Sequence, residues 1–109
     1  MRIPKGAIIS DDKITRYLLV QKVRNDKSKF LAKAGFTTEN PEALRTAIQS
    51  LLKAGEAVED GNNEYGTFYQ VVGELVGING VTLFVVTVWI QRRIDGKFQF
   101  VTLKPLKET

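Results

Sequence analysis

GVTLFVVTVWIQRRIDGKFQFVT, residues 80–102, decides the fold of this chain. Two runs rich in β-branched and aromatic residues flank Asp95-Gly96, a dipeptide that favours tight hairpin turns because both of its residues tolerate positive φ. The stretch therefore predicts two long antiparallel strands joined by a two-residue turn. In that register Gln91 faces Phe100, and Trp89 faces Thr102.

The side chains of the predicted hairpin fall on two different faces, because successive strand residues point to opposite sides. We expect the apolar face to be the core face; it carries Phe84, Val86, Val88, Ile90, Val101 and Leu103. We expect the other face, which mixes aromatic, hydroxyl and cationic groups, to point outward. It carries Thr87, Trp89, Gln91, Arg93, Phe98, Phe100, Thr102 and Lys104.

Three helices are predicted before the hairpin. Ser10 or Asp11 can cap a first helix that runs through residue 19. A second short helix, residues 27–34, is expected after a cap at Asp26 and ends before Gly35. The third is the clearest, with an Asn-Pro start, a glycine after its end and an apolar stripe at helical spacing. That stripe comprises Leu44, Ala47, Ile48, Leu51 and Leu52.

Two further strands are predicted between the third helix and the hairpin. Residues 56–60 form an acidic strand, residues 61–63 a turn, and residues 64–76 a longer strand interrupted at Gly73. The predicted fold class is α+β, with N-terminal helices packed on a four-stranded antiparallel sheet. We expect residues 1–109 to form a single domain.

The composition excludes several classes of chemistry. The 109 residues contain no cysteine and no histidine, so thiol nucleophiles, Cys/His metal sites and histidine-based triads are absent. We predict no metal and no cofactor, and any catalysis must use Lys, Arg, Tyr, Thr, Ser or carboxylates. No signal peptide and no long apolar run is recognisable, so the predicted location is the cytoplasm, without a membrane partner.

Charge is distributed unevenly along the chain. The net charge is +4, yet residues 1–34 hold nine Lys and Arg against three acids, whereas residues 35–80 hold two against seven. If the fold joins the two basic ends, the molecule has a cationic face that attracts phosphate-bearing partners such as RNA. The alternative is a solvated surface whose charge only maintains solubility.

Several segments together resemble a known family. They are KITRYLL, NDKSKFLAKAGF, EYGTFYQVVGELVGING, VTVWIQRR and FVTLKP. The chain resembles a family of small uncharacterised bacterial proteins that is common in cyanobacteria, and it is similar to modules at the C-terminal tips of polymorphic toxins. With the helix and strand order, this implies a second, weaker likeness to metal-independent ribonuclease toxins of the barnase-like and RelE-like fold group.

That second likeness implies a particular kind of site. Metal-free RNA cleavage needs a base at the 2′-hydroxyl, positive charge at the phosphate and an acid for the leaving oxygen. The predicted catalytic residues are Lys29, Tyr65, Tyr69 and Arg93. The predicted nucleic-acid-binding residues are Lys27, Lys33, Thr87, Trp89, Phe100, Thr102 and Lys104. Each also has a structural interpretation, as a solvated helix face, a strand entry or a packed aromatic.

Two functions from different classes follow. The first is a toxin-like RNA-binding protein that acts as a metal-independent endoribonuclease and is neutralised by an antitoxin or immunity protein. The second is a non-catalytic protein-binding module, in which Trp89, Phe98 and Phe100 form the surface of a homodimer or of a complex with another protein. A plain nucleic-acid-binding domain is a third.

Overall fold

A four-stranded antiparallel sheet with helices on one face forms the protein, which confirms the predicted α+β class. The computed structural model describes residues 1–20 and 27–106. A π-helical segment, Lys13–Leu18, precedes helices α1 (Ser28–Ala32) and α2 (Pro41–Ala54). The strands are β1 (Ala57–Asn63), β2 (Gly66–Val76), β3 (Thr82–Arg92) and β4 (Phe98–Pro105), and they lie in the order β1-β2-β3-β4.

The helices follow the sequence prediction to different degrees. α2 matches it, and the Asn40 side chain fixes the turn before it by accepting from Thr37 N and donating to Gly35 O. α1 is shorter than predicted, and its predicted cap, Asp26, lies outside the described residues. The first helix is π-helical rather than α-helical, with a five-residue hydrogen bond from Leu19 N to Ile14 O at its end.

The predicted assignment of the two hairpin faces is wrong for most of β3, although Val86 and Leu103, both predicted on the core face, are buried. Odd-numbered residues of β3, from Leu83 to Trp89, are buried beneath the helices, whereas Phe84 is 50% exposed. The core side of the sheet also holds Val71, Leu75, Phe98, Phe100 and Leu103. The expected outward face is therefore split: Thr87, Trp89, Phe98 and Phe100 are interior. Thr102 is half-buried, and Arg93 and Lys104 are exposed.

The hairpin register also differs from the prediction. The loop is longer than the Asp95-Gly96 turn, because Arg92 N donates to Lys97 O, and Gln91 then pairs with Phe98. Trp89 pairs with Phe100, but Val88 pairs with Thr102, so an irregularity in β4 takes up one extra residue. This bulge changes the alternation along β4, which allows Phe98, Phe100 and Leu103 to share the core face.

Trp89 is buried with its polar group satisfied inside the sheet. Its Nε1 donates to Thr87 Oγ1 at 2.9 Å, and Thr87 Oγ1 donates to Val71 O at 2.8 Å. The ring of Phe100 meets the indole edge-on, with centroids 5.3 Å apart. The indole N–H thus has a hydrogen-bond acceptor, and the indole ring has an aromatic contact, inside the core.

The β1–β2 hairpin turns later than predicted. β1 continues to Asn63, and Glu64 and Tyr65 form the turn. Gly61, with φ +96°, lies at an irregularity within β1 instead of in the turn. Gly73 does not interrupt β2; a Cβ there would lie 2.9 Å from the Leu51 side chain, so the glycine allows α2 to approach the sheet closely.

The Thr87 hydroxyl gives a direct test of this core. Thr87→Val keeps the side-chain shape but removes the acceptor of the buried indole N–H. We expect a loss of about 1–3 kcal/mol in the free energy of unfolding, measured by urea denaturation, because a buried donor without a partner bears its desolvation cost. Thr82→Val, on an exposed site of the same strand, is the matched control and should change stability by less than about 0.5 kcal/mol. Equal stability of the two variants would contradict this account of the core.

Candidate functional site

Three side chains from distant parts of the chain meet beside β4. Lys27 Nζ donates to the Tyr17 hydroxyl and to Thr102 Oγ1, each at 3.0 Å. The two hydroxyl oxygens lie 3.1 Å apart. We call these three residues the Tyr17 cluster. All three are half-buried, so the cluster is packed against the protein yet reachable from solvent.

A different element of the fold positions each member of the Tyr17 cluster. Tyr17 belongs to the π-helical segment, whose Ile14 and Leu18 are buried in the core. Lys27 immediately precedes α1, and its carbonyl accepts from Leu31 N at 3.0 Å. Thr102 follows the bulge in β4. The cluster therefore depends on the packing of two helical segments against the edge strand of the sheet.

The N-terminal segment is also attached to this edge. Ile8 N donates to Phe98 O, and Phe100 N donates to Ile8 O, both at 2.8 Å. This parallel bridge covers the first part of the β4 edge. The chain then passes through the π-helical segment to Tyr17, which contacts the later part of the same strand.

Positive charge surrounds the Tyr17 phenol. The ammonium of Lys27, hydrogen-bonded to the hydroxyl, lowers the pKa of Tyr17 from its ordinary value, and the hydrogen bond with Thr102 acts in the same direction. Partial burial opposes this change in pKa. Lys13 adds a second cation, with its Nζ 4.8 Å from the centroid of the Tyr17 ring. The phenolate form is thus favoured more than in free tyrosine.

This arrangement combines a proton-transfer group with an anion-binding group. A tyrosine of lowered pKa accepts or donates a proton nearer neutral pH than an ordinary tyrosine does. An ammonium carries three donors, and the two hydroxyls take two of those of Lys27. Its third donor can bind an oxygen of an anionic substrate.

The predicted catalytic residues do not all meet. Tyr65 and Arg93 are adjacent, because Arg93 N donates to Tyr65 O at 2.9 Å. The Arg93 guanidinium donates to Asn63 O at 2.8 Å and to Glu64 O at 3.2 Å, so it holds the β1–β2 turn against the β3–β4 loop. Tyr65 itself is 69% exposed.

The other two predicted catalytic residues lie in different places. Tyr69 packs its ring on Phe98, with centroids 5.6 Å apart, in the half of the sheet near Arg93. Lys29 is exposed on α1, whose end approaches the β2–β3 turn, where a Cβ on Gly77 would overlap Ala34 O. The β2–β3 turn and the Tyr65 turn lie at opposite ends of the 11-residue strand β2. Lys29 is therefore separated from Tyr65 and Arg93.

The predicted nucleic-acid-binding residues also divide into groups. Thr87, Trp89 and Phe100 are buried, so their predicted place on an outward face is wrong and they offer no surface to a base. Lys33 is exposed at the end of α1 near Asn79, and Lys104 is exposed in β4. Lys27 and Thr102 do come together, but around Tyr17.

Tyr17 is the residue that the sequence analysis does not select. The chain has three tyrosines, and the other two are among the predicted catalytic residues. Tyr17 lies in the basic N-terminal third, four residues after Lys13, in a protein without histidine. In a basic segment of a chain without histidine, a tyrosine with lysines on both sides is the sequence signal that could have identified Tyr17.

The described residues contain neither a cluster of metal-ligating side chains nor a membrane-spanning helix. No three Asp or Glu side chains within residues 1–20 and 27–106 come together to hold a metal ion. None of the helices in that part of the chain is long and apolar enough to cross a bilayer.

The chain belongs to the DUF6883 family, described as a domain of unknown function, which it matches over residues 4–107. No curated protein matches it. Its fold is similar to a chain of a contact-dependent growth inhibition toxin–immunity protein complex from Klebsiella pneumoniae 342. The TM-score is 0.66 at 14% identity, and the match covers 94% of this chain and 96% of the other. At that identity the likeness establishes a shared fold.

The acidity of Tyr17 can be measured directly. The difference between absorbance titrations of the native protein and of Tyr17→Phe should give a phenol pKa below the value of about 10 for free tyrosine. Lys27→Met should raise that pKa, because it removes the principal hydrogen bond to the phenolate. Lys29→Met, an exposed lysine two residues away, is the control and should leave it unchanged. A native pKa at or above the free value would contradict the geometry of the cluster.

Proposed function

We propose that this protein is a toxin-like RNA-binding protein that cleaves RNA without a metal at the Tyr17 cluster. The observation that carries the proposal is the mutual contact of Lys27 Nζ, the Tyr17 hydroxyl and Thr102 Oγ1 within 3.0–3.1 Å. It supplies a proton acceptor and a cation within reach of one phosphodiester. Two of its members, Lys27 and Thr102, come from the predicted RNA-binding set.

Each group has a definite role in this chemistry. The Tyr17 phenolate accepts the proton of the RNA 2′-hydroxyl, whose oxygen bonds to phosphorus as the bond from phosphorus to the 5′-oxygen breaks. Lys27 binds a phosphate oxygen and stabilises its added negative charge. Water protonates the leaving 5′-oxygen, and Thr102 orients both Tyr17 and Lys27. The products are a 2′,3′-cyclic phosphate and a 5′-hydroxyl.

The charge distribution supports RNA as the substrate class. Lys13 lies close to Tyr17, and the segment that contains both belongs to the basic first third of the chain. Clustered surface cations attract polyanions and hold them by phosphate contacts. RNA binding should accordingly weaken steeply as salt is raised.

The fold likeness supports a toxin-related function. The similar chain belongs to a toxin–immunity protein complex, and this chain shares the fold of that chain over nearly its whole length. The likeness fits a toxin and an immunity protein equally, and the Tyr17 cluster is the reason that we propose a toxin. We propose that this protein likewise has a dedicated protein partner, an antitoxin or immunity protein. The similar structure does not establish the likeness to RelE-like and barnase-like ribonucleases, which stays a prediction from the sequence.

The active centre predicted from the sequence competes with the Tyr17 cluster. It consists of Lys29, Tyr65, Tyr69 and Arg93. Arg93 binds backbone carbonyls and Tyr69 packs on Phe98, so both have structural roles that need no substrate. Lys29 is spatially separated from Tyr65 and Arg93. The Tyr17 cluster is the better-supported active centre of the two, because its three side chains already form hydrogen bonds with one another.

Incubation of purified protein with total cellular RNA in EDTA tests the proposal. We expect cleavage by the native protein, and at least about a hundredfold loss of rate in Tyr17→Phe and in Lys27→Met, as is typical for removing a general base or a charge-stabilising group. The native rate should rise with pH and level off below about pH 10, since Tyr17 acts as phenolate and its pKa is lowered.

Two matched variants locate the centre. Lys29→Met should retain the native rate, because the Lys29 side chain is exposed and outside the Tyr17 cluster. Tyr65→Phe should also retain it. Loss of cleavage in either of these variants, with normal rates in Tyr17→Phe and Lys27→Met, would contradict the placement of the active centre at the Tyr17 cluster. Intact RNA in every sample would contradict the catalytic proposal.

A non-catalytic protein-binding module is the second candidate function. The observation in its favour is the outer face of the sheet, where Phe84 is 50% and Val72 49% exposed. These side chains differ from those first predicted for such an interface, because Trp89, Phe98 and Phe100 are internal. Absence of RNA cleavage, together with normal folding, would favour this function.

A further inference from the structure

One half of strand β2 lacks a neighbour on its outer side. The pairing of β1 with β2 begins at Ala57 and Val71, and β1 continues away from the remainder of β2. β2 nevertheless pairs with β3 along its full length to Val76. Within the described part of the chain, residues 72–76 therefore have a strand on one side only.

The polar backbone groups of this half-strand can be assigned by alternation. In an antiparallel pair, every second residue directs both N–H and C=O towards its neighbour. Tyr65 and Gly77, which flank β2, bond towards β3 through Arg93 N to Tyr65 O and Gly77 N to Val81 O. Even-numbered residues of β2 consequently direct their backbone groups away from β3. Glu74 and Val76 present theirs at the open edge.

A groove runs alongside this edge. It has a volume of about 740 Å³ and lies between α2 and the half-strand. The helix contributes small side chains along its 14-residue length, including Ala43, Ala47, Ser50 and Ala54. A helix of that length spans about 21 Å, which is the length of six or seven extended residues.

The groove carries charge of one sign. Glu42 and Glu74 are its charged lining residues, and no lysine or arginine of the described chain lines it. Glu42 is paired with Arg45, whose Nε lies 3.3 Å from Glu42 Oε2, so Glu74 supplies the charge that a ligand would meet. Glu74 lies at the open edge itself, between the exposed side chains of Val72 and Val76. A ligand that fits must therefore combine backbone hydrogen bonding with positive charge.

We propose that this groove binds an extended segment of a partner protein, which adds to β2 as a further strand. Its backbone pairs with Glu74 and Val76, its apolar side chains lie on the small residues of α2, and its Lys or Arg side chains face Glu74. Strand addition of this kind takes affinity from main-chain bonds and specificity from alternate side chains. The Tyr17 cluster lies beside β4 at the other edge of the sheet, so the inference stands whether or not RNA is cleaved.

A second copy of the chain fits this edge poorly. Two β2 edges that pair antiparallel about Glu74 would place the two Glu74 carboxylates directly opposite each other. Like charges in opposed positions destabilise a strand pair. Charge thus favours a cationic strand from a different protein over self-association.

A synthetic peptide tests the inference on the full chain. The probe is a capped heptapeptide in which Lys and Val alternate, and the control peptide has the same sequence with every backbone amide N-methylated, so that neither of its edges can donate a hydrogen bond. We expect the first peptide to bind and to slow amide hydrogen exchange at Glu74 and Val76. The methylated peptide should not bind, because it cannot pair with an edge. Equal binding of both peptides, or protection elsewhere in the protein, would overturn the proposal.

Paired charge variants give the second readout. Glu74→Lys should weaken binding of the lysine peptide about tenfold or more, because an attractive cross-strand pair becomes a repulsive one. Glu59→Lys makes the same charge change at an exposed β1 position outside the groove and should leave binding unchanged. Equal effects of the two variants would mean that peptide binding depends only on the net charge of the protein, which would overturn the proposal. So would a dimer in sedimentation that Glu74→Lys does not affect.

Discussion

The indole of Trp89 is fully buried in the middle of β3, and its N–H needs an acceptor inside the sheet. The hydroxyl of Thr87, two residues earlier on the same face, accepts this hydrogen bond and donates its own to Val71 O. This chain of bonds joins β3 to β2 on the side of the sheet that the helices cover. The opposite side, with Phe84 and its neighbours, is left towards solvent.

Both candidate surfaces follow from that choice of face. With the helices on the Trp89 side, the N-terminal segment reaches the edge of β4, where Ile8 pairs and the Tyr17 cluster forms. α2 covers the same side near β2, and it extends beyond the end of β1 to border the open half-strand. One edge of the sheet thus holds the Tyr17 cluster, and the other holds the open half of β2.

The sequence predicts elements better than it predicts their faces. α2 follows from its Asn-Pro start and apolar stripe, and the four strands follow from composition and turns. The faces of β3 are ambiguous because both carry large apolar residues, and an indole counts equally as a core residue or as a stacking platform. The bulge near Thr102 has no local pattern that reveals it, yet it sets the alternation along β4.

The candidate site is only partly predictable for a related reason. Lys27 and Thr102 can be chosen by residue type, but their meeting with Tyr17 depends on a π-helical segment and on long-range packing. The spacing of apolar residues places Tyr17 on the apolar side of the first helix. The sequence therefore predicts a packing position for it and not a place in the candidate site. Lys29 satisfies the same chemical criteria as Lys27, and only the three-dimensional structure separates the two lysines.

The most direct test of the account is an NMR titration of the labelled protein with a short 2′-O-methyl RNA, which binds but cannot be cleaved. We expect the largest backbone shifts at Tyr17, Lys27 and Thr102. We also expect these shifts to diminish as salt is raised. Shifts confined to the outer face of the sheet, or an absence of binding at low salt, would contradict RNA binding at the Tyr17 cluster.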